Sequence, residues 1–238
     1  MNVLLIGYGR MGKAVHEMLE QRGHNVAKVI DEQNKQELES LNQSDFDVAI
    51  EFTHPDAGYD NVMKCLRNGL PVVTGTTGWN HKLSEAEKAC KQHNSAFLYA
   101  PNFSLGVNML FAMNEKLAKL MNNQAQYKAS IEETHHIHKK DKPSGTAVNL
   151  ATQLINEIGR YSDYSLDGQE RDKLPVYANR EGDVFGDHKV TYDSDVDSLS
   201  ISHHAKSRKG FALGAAVAAE FVHTRKGVFT MKDVLDIN

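Results

Sequence analysis

The chain has 238 residues, of which 40% are hydrophobic and 24% charged, and its formal net charge is -4. That composition belongs to an ordinary globular protein, long enough for two modest domains or one large one. A slightly acidic chain without a broad basic stripe has little with which to release counterions, so nucleic acid is not expected as its main partner.

The chain opens MNVLLIGYGR, with only four consecutive apolar residues before a glycine. That run is too short for a signal-peptide core, and no later stretch approaches a membrane span, so a cytoplasmic protein is expected. Through the first hundred or so residues, short apolar runs alternate with helix-like stretches. VLLI (3–6), VAKVI (26–30), VAIEF (48–52), PVVTG (71–75) and AFLYA (96–100) have the character of buried strands, and 12–22, 56–68 and 84–94 that of the helices between them. Strand and helix in alternation imply a doubly wound parallel sheet with right-handed crossovers. Cys65 and Cys90 fall in helix-like segments without metal-ligand spacing, as buried free thiols in a reducing compartment do.

After APNFS (100–104) the pattern changes. Residues 105–121 predict one long helix with Leu105, Met109, Ala112, Met113, Lys116, Leu117 and Leu120 along one side. YKASIEET (127–134), LPVYANR (174–180) and LSISHHA (199–205) alternate like half-exposed strands, separated by polar, turn-rich segments at 161–173 and 181–198. These predict an α+β part with an open mixed sheet and helices on one face. The apolar segment 210–222 predicts a helix buried nearly all round that returns to the first domain.

Gly7-Tyr8-Gly9-Arg10-Met11-Gly12 lies between the first strand and the first helix. This is the dinucleotide fingerprint in its proper place. Gly7 permits the tight turn, Gly9 lets backbone approach a pyrophosphate, and Gly12 allows close helix packing, with the phosphates at a helix N-terminus. Asp31 follows the second strand 19 residues after Gly12, near the ~20-residue spacing of a ribose-binding carboxylate. Gly75, Thr76 and Thr77 follow the fourth strand and Ala100, Pro101, Asn102 and Phe103 the fifth, both at the strand ends where such sheets bind ligand.

The segment EETHHIHKKDKPSGTA (132–147) crowds His135, His136, His138, Lys139, Lys140 and Lys142 ahead of a helix start. Adjacent histidines on an extended segment point to opposite faces, so at most two could share a metal, and no carboxylate or cysteine is placed to complete a tetrahedron. No metal is expected. Ser144 is the expected N-cap of a helix with Ala147, Ala151, Leu154, Ile155 and Ile158 on one face. Amides at Gly145 and Thr146, with nearby Lys and His side chains, suit a carboxylate. A second anion site beside a nicotinamide pocket points to a small acidic substrate.

That loop resembles the signature of the 4-hydroxy-tetrahydrodipicolinate reductase family, and GYGRMG, EFTHP (51–55), GTTG, APNFS-GVN and the later H-A-x-S-R-x-x-F-x-x-GA (204–215) fall in the family's order. The resemblance implies a dinucleotide domain of residues 1–103 and 209–238 and a central substrate-binding and oligomerisation domain of 104–208, assembled as a homotetramer. It implies hydride transfer from NADH or NADPH to a cyclic imine dicarboxylate in diaminopimelate and lysine biosynthesis. It matches His135 to the acid/base histidine and Lys139 to the proton-donating lysine. His136, Gly145 and Thr146 match substrate contacts. Glu32 stands beside Asp31 where some members carry a basic residue, so NADH is favoured. His138 and Lys140 receive no role, and Arg208 with Phe211 is expected to hinge or cap the cleft. Two rivals share only part of this pattern. Another amino-acid or semialdehyde dehydrogenase of the dinucleotide-binding class has no need of the histidine-lysine loop. A non-enzymatic NAD-responsive regulator would dispense with proton donors and add a partner-binding module.

Overall fold

The structure is a computed structural model that describes residues 1–40, 42–166 and 168–237. In chain order the elements are β1 (Asn2–Ile6), α1 (Arg10–Gln21), β2 (Asn25–Ile30), β3 (Val48–Glu51), α2 (Pro55–Arg67), β4 (Val72–Thr74), α3 (Leu83–Gln92) and β5 (Ala96–Tyr99). There follow α4 (Leu105–Met121), β6 (Lys128–His135), α5 (Gly145–Glu157), β7 (Asp163–Ser165), β8 (Lys173–Arg180), β9 (Asp187–Asp193) and β10 (Ser198–His204). The chain closes with α6 (Lys209–Val222), β11 (Gly227–Phe229) and α7 (Met231–Val234).

It divides into two compact units, Met1–Leu105 with Arg208–Asn238, and Gly106–Ser207. The first unit carries a parallel sheet in the order β11-β5-β4-β3-β1-β2. Side chains alternate across it, and both faces are buried. Val3, Leu5, Val48 and Ile50 pack with Val15 and Leu19 of α1 and the small residues of α6. Leu4, Ile6, Ala49 and Val72 pack on the opposite face with Val62 and Leu66 of α2 and Ala86 and Cys90 of α3. Near-continuous apolar strands are what a sheet covered on both faces requires, and each such buried aliphatic side chain contributes roughly 1.5–3 kcal/mol. Both cysteines are buried and free, and burial pushes the Cys65 thiol up to about 12, which leaves it an inert core residue.

The second unit has a mixed sheet in the order β10-β9-β6-β8-β7. Strands β6, β8 and β7 run parallel, and β9 and β10 are antiparallel additions. One face carries Ala129, Ile131, Leu174, Val176, Val190 and Tyr192 against α4 and α5. On the other face Tyr177 is exposed, whereas Leu199, paired with Tyr192, is an exposed residue at the edge of the core-side face. Two expectations change here. The segment 181–198, expected as turns, contains β9, which sits between β6 and β10 in the sheet. Its sequence DHKVTYD alternates, but its charged outward residues mask the strand period. The predicted side of α4 is also not its core side: Leu110, Ala118 and Met121 are buried, whereas Met109, Met113 and Leu120 are exposed. Among the described residues no helix is long and apolar enough to cross a membrane.

Candidate active site

The turn between β1 and α1 is shaped by what its glycines lack. Gly7 has φ +98°, and a Cβ on it would stand 2.0 Å from the Phe52 carbonyl oxygen. At Gly12 a Cβ would stand 2.0 Å from the Gly7 carbonyl oxygen, so only hydrogen there lets α1 close onto the turn. Gly9 caps α1, and the space around the position of its missing Cβ is open to 4 Å. Exposed turn amides and a helix N-terminus together form an anion cradle.

The cradle opens into a cavity of about 630 Å³ lined by Gly7, Tyr8, Gly9, Arg10 and Met11 from this turn, by Asp31, and by Gly75, Thr76 and Thr77 from the turn after β4. Asp31 is fixed at the wall by a local turn: its Oδ1 accepts the Gln33 amide at 2.8 Å, and its own amide donates to Asn34 Oδ1 at 2.8 Å. Glu32 lines the same wall, paired with Lys35 at 3.1 Å.

The turn after β5 lies outside this lining. Ala100, Pro101, Asn102 and Phe103 do not line this cavity. Ala100 and Phe103 are core residues, and the Phe103 ring packs edge-on against Phe52 with centroids 5.6 Å apart. Asn102 Oδ1 accepts the Ser104 amide at 2.9 Å. The strand order explains this, because β5 lies one strand beyond β4, and the cavity sits over the ends of β1, β2, β3 and β4.

A residue with no expected role, Glu51, is fully buried at the end of β3. Its carboxylate accepts the Thr53 amide at 3.0 Å, Thr76 Oγ1 at 2.8 Å, Thr74 Oγ1 at 2.5 Å and the Thr53 hydroxyl. It ties the turn after β3 to the turn after β4. The sequence signal was an acid inside an otherwise apolar strand.

In the second unit the buried face of β6 changes character along its length. Ala129 and Ile131 belong to the apolar core, and the next two residues on that face are Glu133 and His135. On β9, His188 pairs opposite Glu133 and precedes Val190 and Tyr192 on the same face. The strand period thus delivers three buried polar side chains to one place. His135 Nε2 lies 3.4 Å from His188 Nε2 and 3.5 Å from Glu133 Oε2, and His188 Nε2 lies 3.6 Å from the same oxygen. The Ser144 amide donates to both Glu133 oxygens, at 3.0 and 3.1 Å, and Ser144 Oγ lies 3.2 Å from His188 Nε2. Arg180 Nη1 donates to Glu133 Oε1 at 3.1 Å.

Burial pulls the Glu133 carboxyl up, but hydrogen bonds from His135, His188 and Ser144 outweigh it and hold the group well below the usual carboxylate range. From sequence no carboxylate is placed to join the histidines. The fold supplies Glu133 and His188, and with His135 they form a grouping that could hold a metal ion. In this structure the charge on Glu133 is met by the Arg180 guanidinium.

Ser144 caps α5 as expected, its Oγ accepting the Ala147 amide at 3.2 Å, so Gly145 and Thr146 form the first turn of that helix. Lys139 Nζ donates to Asp141 Oδ2 at 2.7 Å. Burial raises the Asp141 carboxyl, but the Lys139 hydrogen bond, a backbone hydrogen bond and the charges of Lys139 and Arg180 together lower it. His136 is half-buried beside His138, ring centroids 6.2 Å apart, and His138 and Lys140 are exposed. Arg208 sits at the N-terminus of α6. Thus His135, Ser144 and the start of α5 are gathered with Glu133, Arg180 and His188, none of which carried a sequence assignment. The i, i+2 spacing of Glu133 and His135 could have flagged the first of these.

The N-terminal family profile of dihydrodipicolinate reductase matches residues 1–103, and the C-terminal profile matches residues 106–235. The chain belongs to the dihydrodipicolinate reductase family. It is therefore an oxidoreductase, of a family that works with a pyridine nucleotide. The curated 4-hydroxy-tetrahydrodipicolinate reductase of Christiangramia forsetii is 46% identical over 235 residues, covering 99% of this chain and 98% of that protein. The protein of the same name from Methanopyrus kandleri is 38% identical over 80% of this chain and 72% of its own length. Among solved structures, a dipicolinate-bound dihydrodipicolinate reductase from Paenisporosarcina sp. TG-14 has the same fold, with a TM-score of 0.74, 22% identity and 97% of both chains covered. An amine dehydrogenase from Mycobacterium smegmatis shares it more loosely, with a TM-score of 0.58 and 11% identity over 96% of this chain and 94% of that one.

Proposed function

We propose that the chain reduces 4-hydroxy-tetrahydrodipicolinate to tetrahydrodipicolinate, a step in diaminopimelate and lysine biosynthesis. In this reading residues 1–103 and 209–238 hold the nucleotide and 104–208 hold the dicarboxylate. The observation that carries it is the buried His135 cluster joined to the first turn of α5, an acid/base group beside an anion cradle. The cavity by β1 fits a dinucleotide: it has an open glycine turn at a helix N-terminus and a fixed carboxylate, Asp31, beside it. The turn 7–11 holds the pyrophosphate, Asp31 the adenosine ribose, and Gly75, Thr76 and Thr77 the other half. Ala100, Pro101, Asn102 and Phe103, one strand beyond that lining, are the part of this nucleotide site with the least geometric support. When bound, the reduced nicotinamide supplies a hydride.

The chain's own residues do the rest. Lys139 donates the proton that accompanies hydride addition, and His135 acts as acid/base and meets the negative charge that builds on the ring. Gly145 and Thr146 hold one carboxylate through amides and hydroxyl, and His136 contacts the substrate. Asp31 and Glu32 put two carboxylates on a wall that also carries Arg10 and Lys35, and the carboxylates favour NADH over NADPH. The exposed sheet face around Tyr177 supports assembly into a homotetramer, and the protein acts in the cytoplasm. The test is loss of reduced-nicotinamide absorbance with substrate generated freshly by the preceding dehydratase-type step, against aldehydes and 2-oxo acids. Turnover of those controls without turnover of the cyclic imine would overturn the reading, as would dipicolinate competing with NADH alone.

A further inference from the structure

The reactive loop from His136 to Pro143 has no helix or strand of its own. Its geometry must come from neighbours, and two of them converge on it. Arg180, at the end of β8, donates Nε to the Lys139 carbonyl at 3.3 Å and Nη2 to the Asp141 carbonyl. Nη1 of the same group reaches Glu133 at 3.1 Å and the Asn179 carbonyl at 2.7 Å. Glu133 in turn receives the Ser144 amide on both oxygens and faces His135 and His188. One buried ion pair therefore touches the strand that carries His135, the backbone at Lys139 and the residue that opens α5.

We infer that Glu133 and Arg180 are positioning residues that set His135, Lys139 and the Gly145–Thr146 cradle in register with one another. This rests on the roles given above to His135 and Lys139. A bland structural pair would need neither the planar fork nor the convergence. Only a guanidinium offers five donors in fixed directions, enough to span a carboxylate and two loop carbonyls at once. The carboxylate is 1% exposed, so its charge acts on the two imidazoles with little solvent screening. Glu133 holds the edge of the His135 ring that carries Nε2 and so orients the imidazole, as a carboxylate does for a general base. Reacting groups displaced by about an ångström lose on the order of a hundredfold in rate.

The test uses the full-length protein carrying Glu133→Gln, which keeps shape and removes charge, or Arg180→Lys, which keeps charge and shortens the fork. Each variant should turn over roughly 10- to 100-fold more slowly. Dipicolinate inhibition should weaken, and NADH affinity should stay within about twofold, since the cofactor cradle belongs to the other unit. The solvent deuterium isotope effect on kcat should rise and the effect of deuterated NADH should fall, because proton transfer becomes the slow step. A merely structural pair would lower the folded fraction without changing that partition. If Glu133→Gln does not fold, Arg180→Lys decides, together with rescue of Arg180→Ala by added guanidinium ion. Folded variants with wild-type kcat and unchanged isotope effects would overturn the inference while His135→Gln remains inactive. A fully active His135→Gln would instead overturn the role of His135 on which the inference rests.

Discussion

The two candidate sites in this chain are made of different materials. The cradle beside β1 is built from backbone: its shape depends on what Gly7 and Gly12 lack, and its ligands are amides and one carboxylate. The site beside β6 is built from side chains, a buried carboxylate, a guanidinium and two imidazoles brought together from β6, β8 and β9. A backbone cradle tolerates changes in most side chains but not an added methyl group. A side-chain network is sensitive to the loss of any charged member, since the group left behind stays buried without a partner.

Breaking the side-chain site should give the largest effect. His135→Gln or Lys139→Met should lower turnover by roughly 10²- to 10⁴-fold with NADH binding intact. Steady-state rates and a fluorescence titration with NADH check both halves, and a variant keeping more than about a third of wild-type turnover removes that residue from the mechanism.

The mirror experiment breaks the backbone site. Gly12→Ala puts a Cβ where the Gly7 carbonyl stands, so the turn must open. NADH affinity should fall about tenfold or more, ~1.4 kcal/mol or above. Calorimetric titration should show dipicolinate binding retained. Equal loss of both ligands would mean that the two sites are not separable in this way.

Smaller effects sharpen the contrast. Thr146→Val removes a hydroxyl and keeps the amide, so substrate affinity should weaken by only about 1 to 3 kcal/mol, read from KM and from dipicolinate inhibition. NADH should be preferred to NADPH, because a 2′-phosphate would meet Asp31 and Glu32 at about 1 kcal/mol per close pair in water and up to ~4 where shielded. The ratio of kcat/KM for the two cofactors at low and moderate salt decides, and a tenfold or greater advantage for NADPH at both would refute it.

The dependence of stability on pH sharpens the picture of Glu133. Its carboxyl is held low in the fold, whereas an unfolded glutamate takes up a proton near pH ~4.3. Glu133 therefore contributes stability above about pH 4.3 and loses that contribution as the pH falls further. Urea midpoints at pH 7 and at about pH 3 should differ more for the wild-type chain than for Glu133→Gln. Parallel curves would show that the carboxylate is not coupled to folding as described.

The sequence by itself determined the alternation of strand and helix, the glycine turn, the placement of Asp31, the Ser144 cap and the histidine-lysine loop. Each of these is a local rule: side-chain period, glycine at a turn, or a capping residue before a helix. The tertiary structure alone decided that β9 lies between β6 and β10, and so that His188, 53 residues from His135, stands beside it. It also decided that Ala100 and Phe103 turn into the core, that the apolar stripe of Met109 and Met113 stays exposed, and that Arg180 serves the loop it never touches in sequence. The reason is that strand order and register set which buried faces meet. A period of two states which face a residue occupies, but only the pairing states what stands opposite.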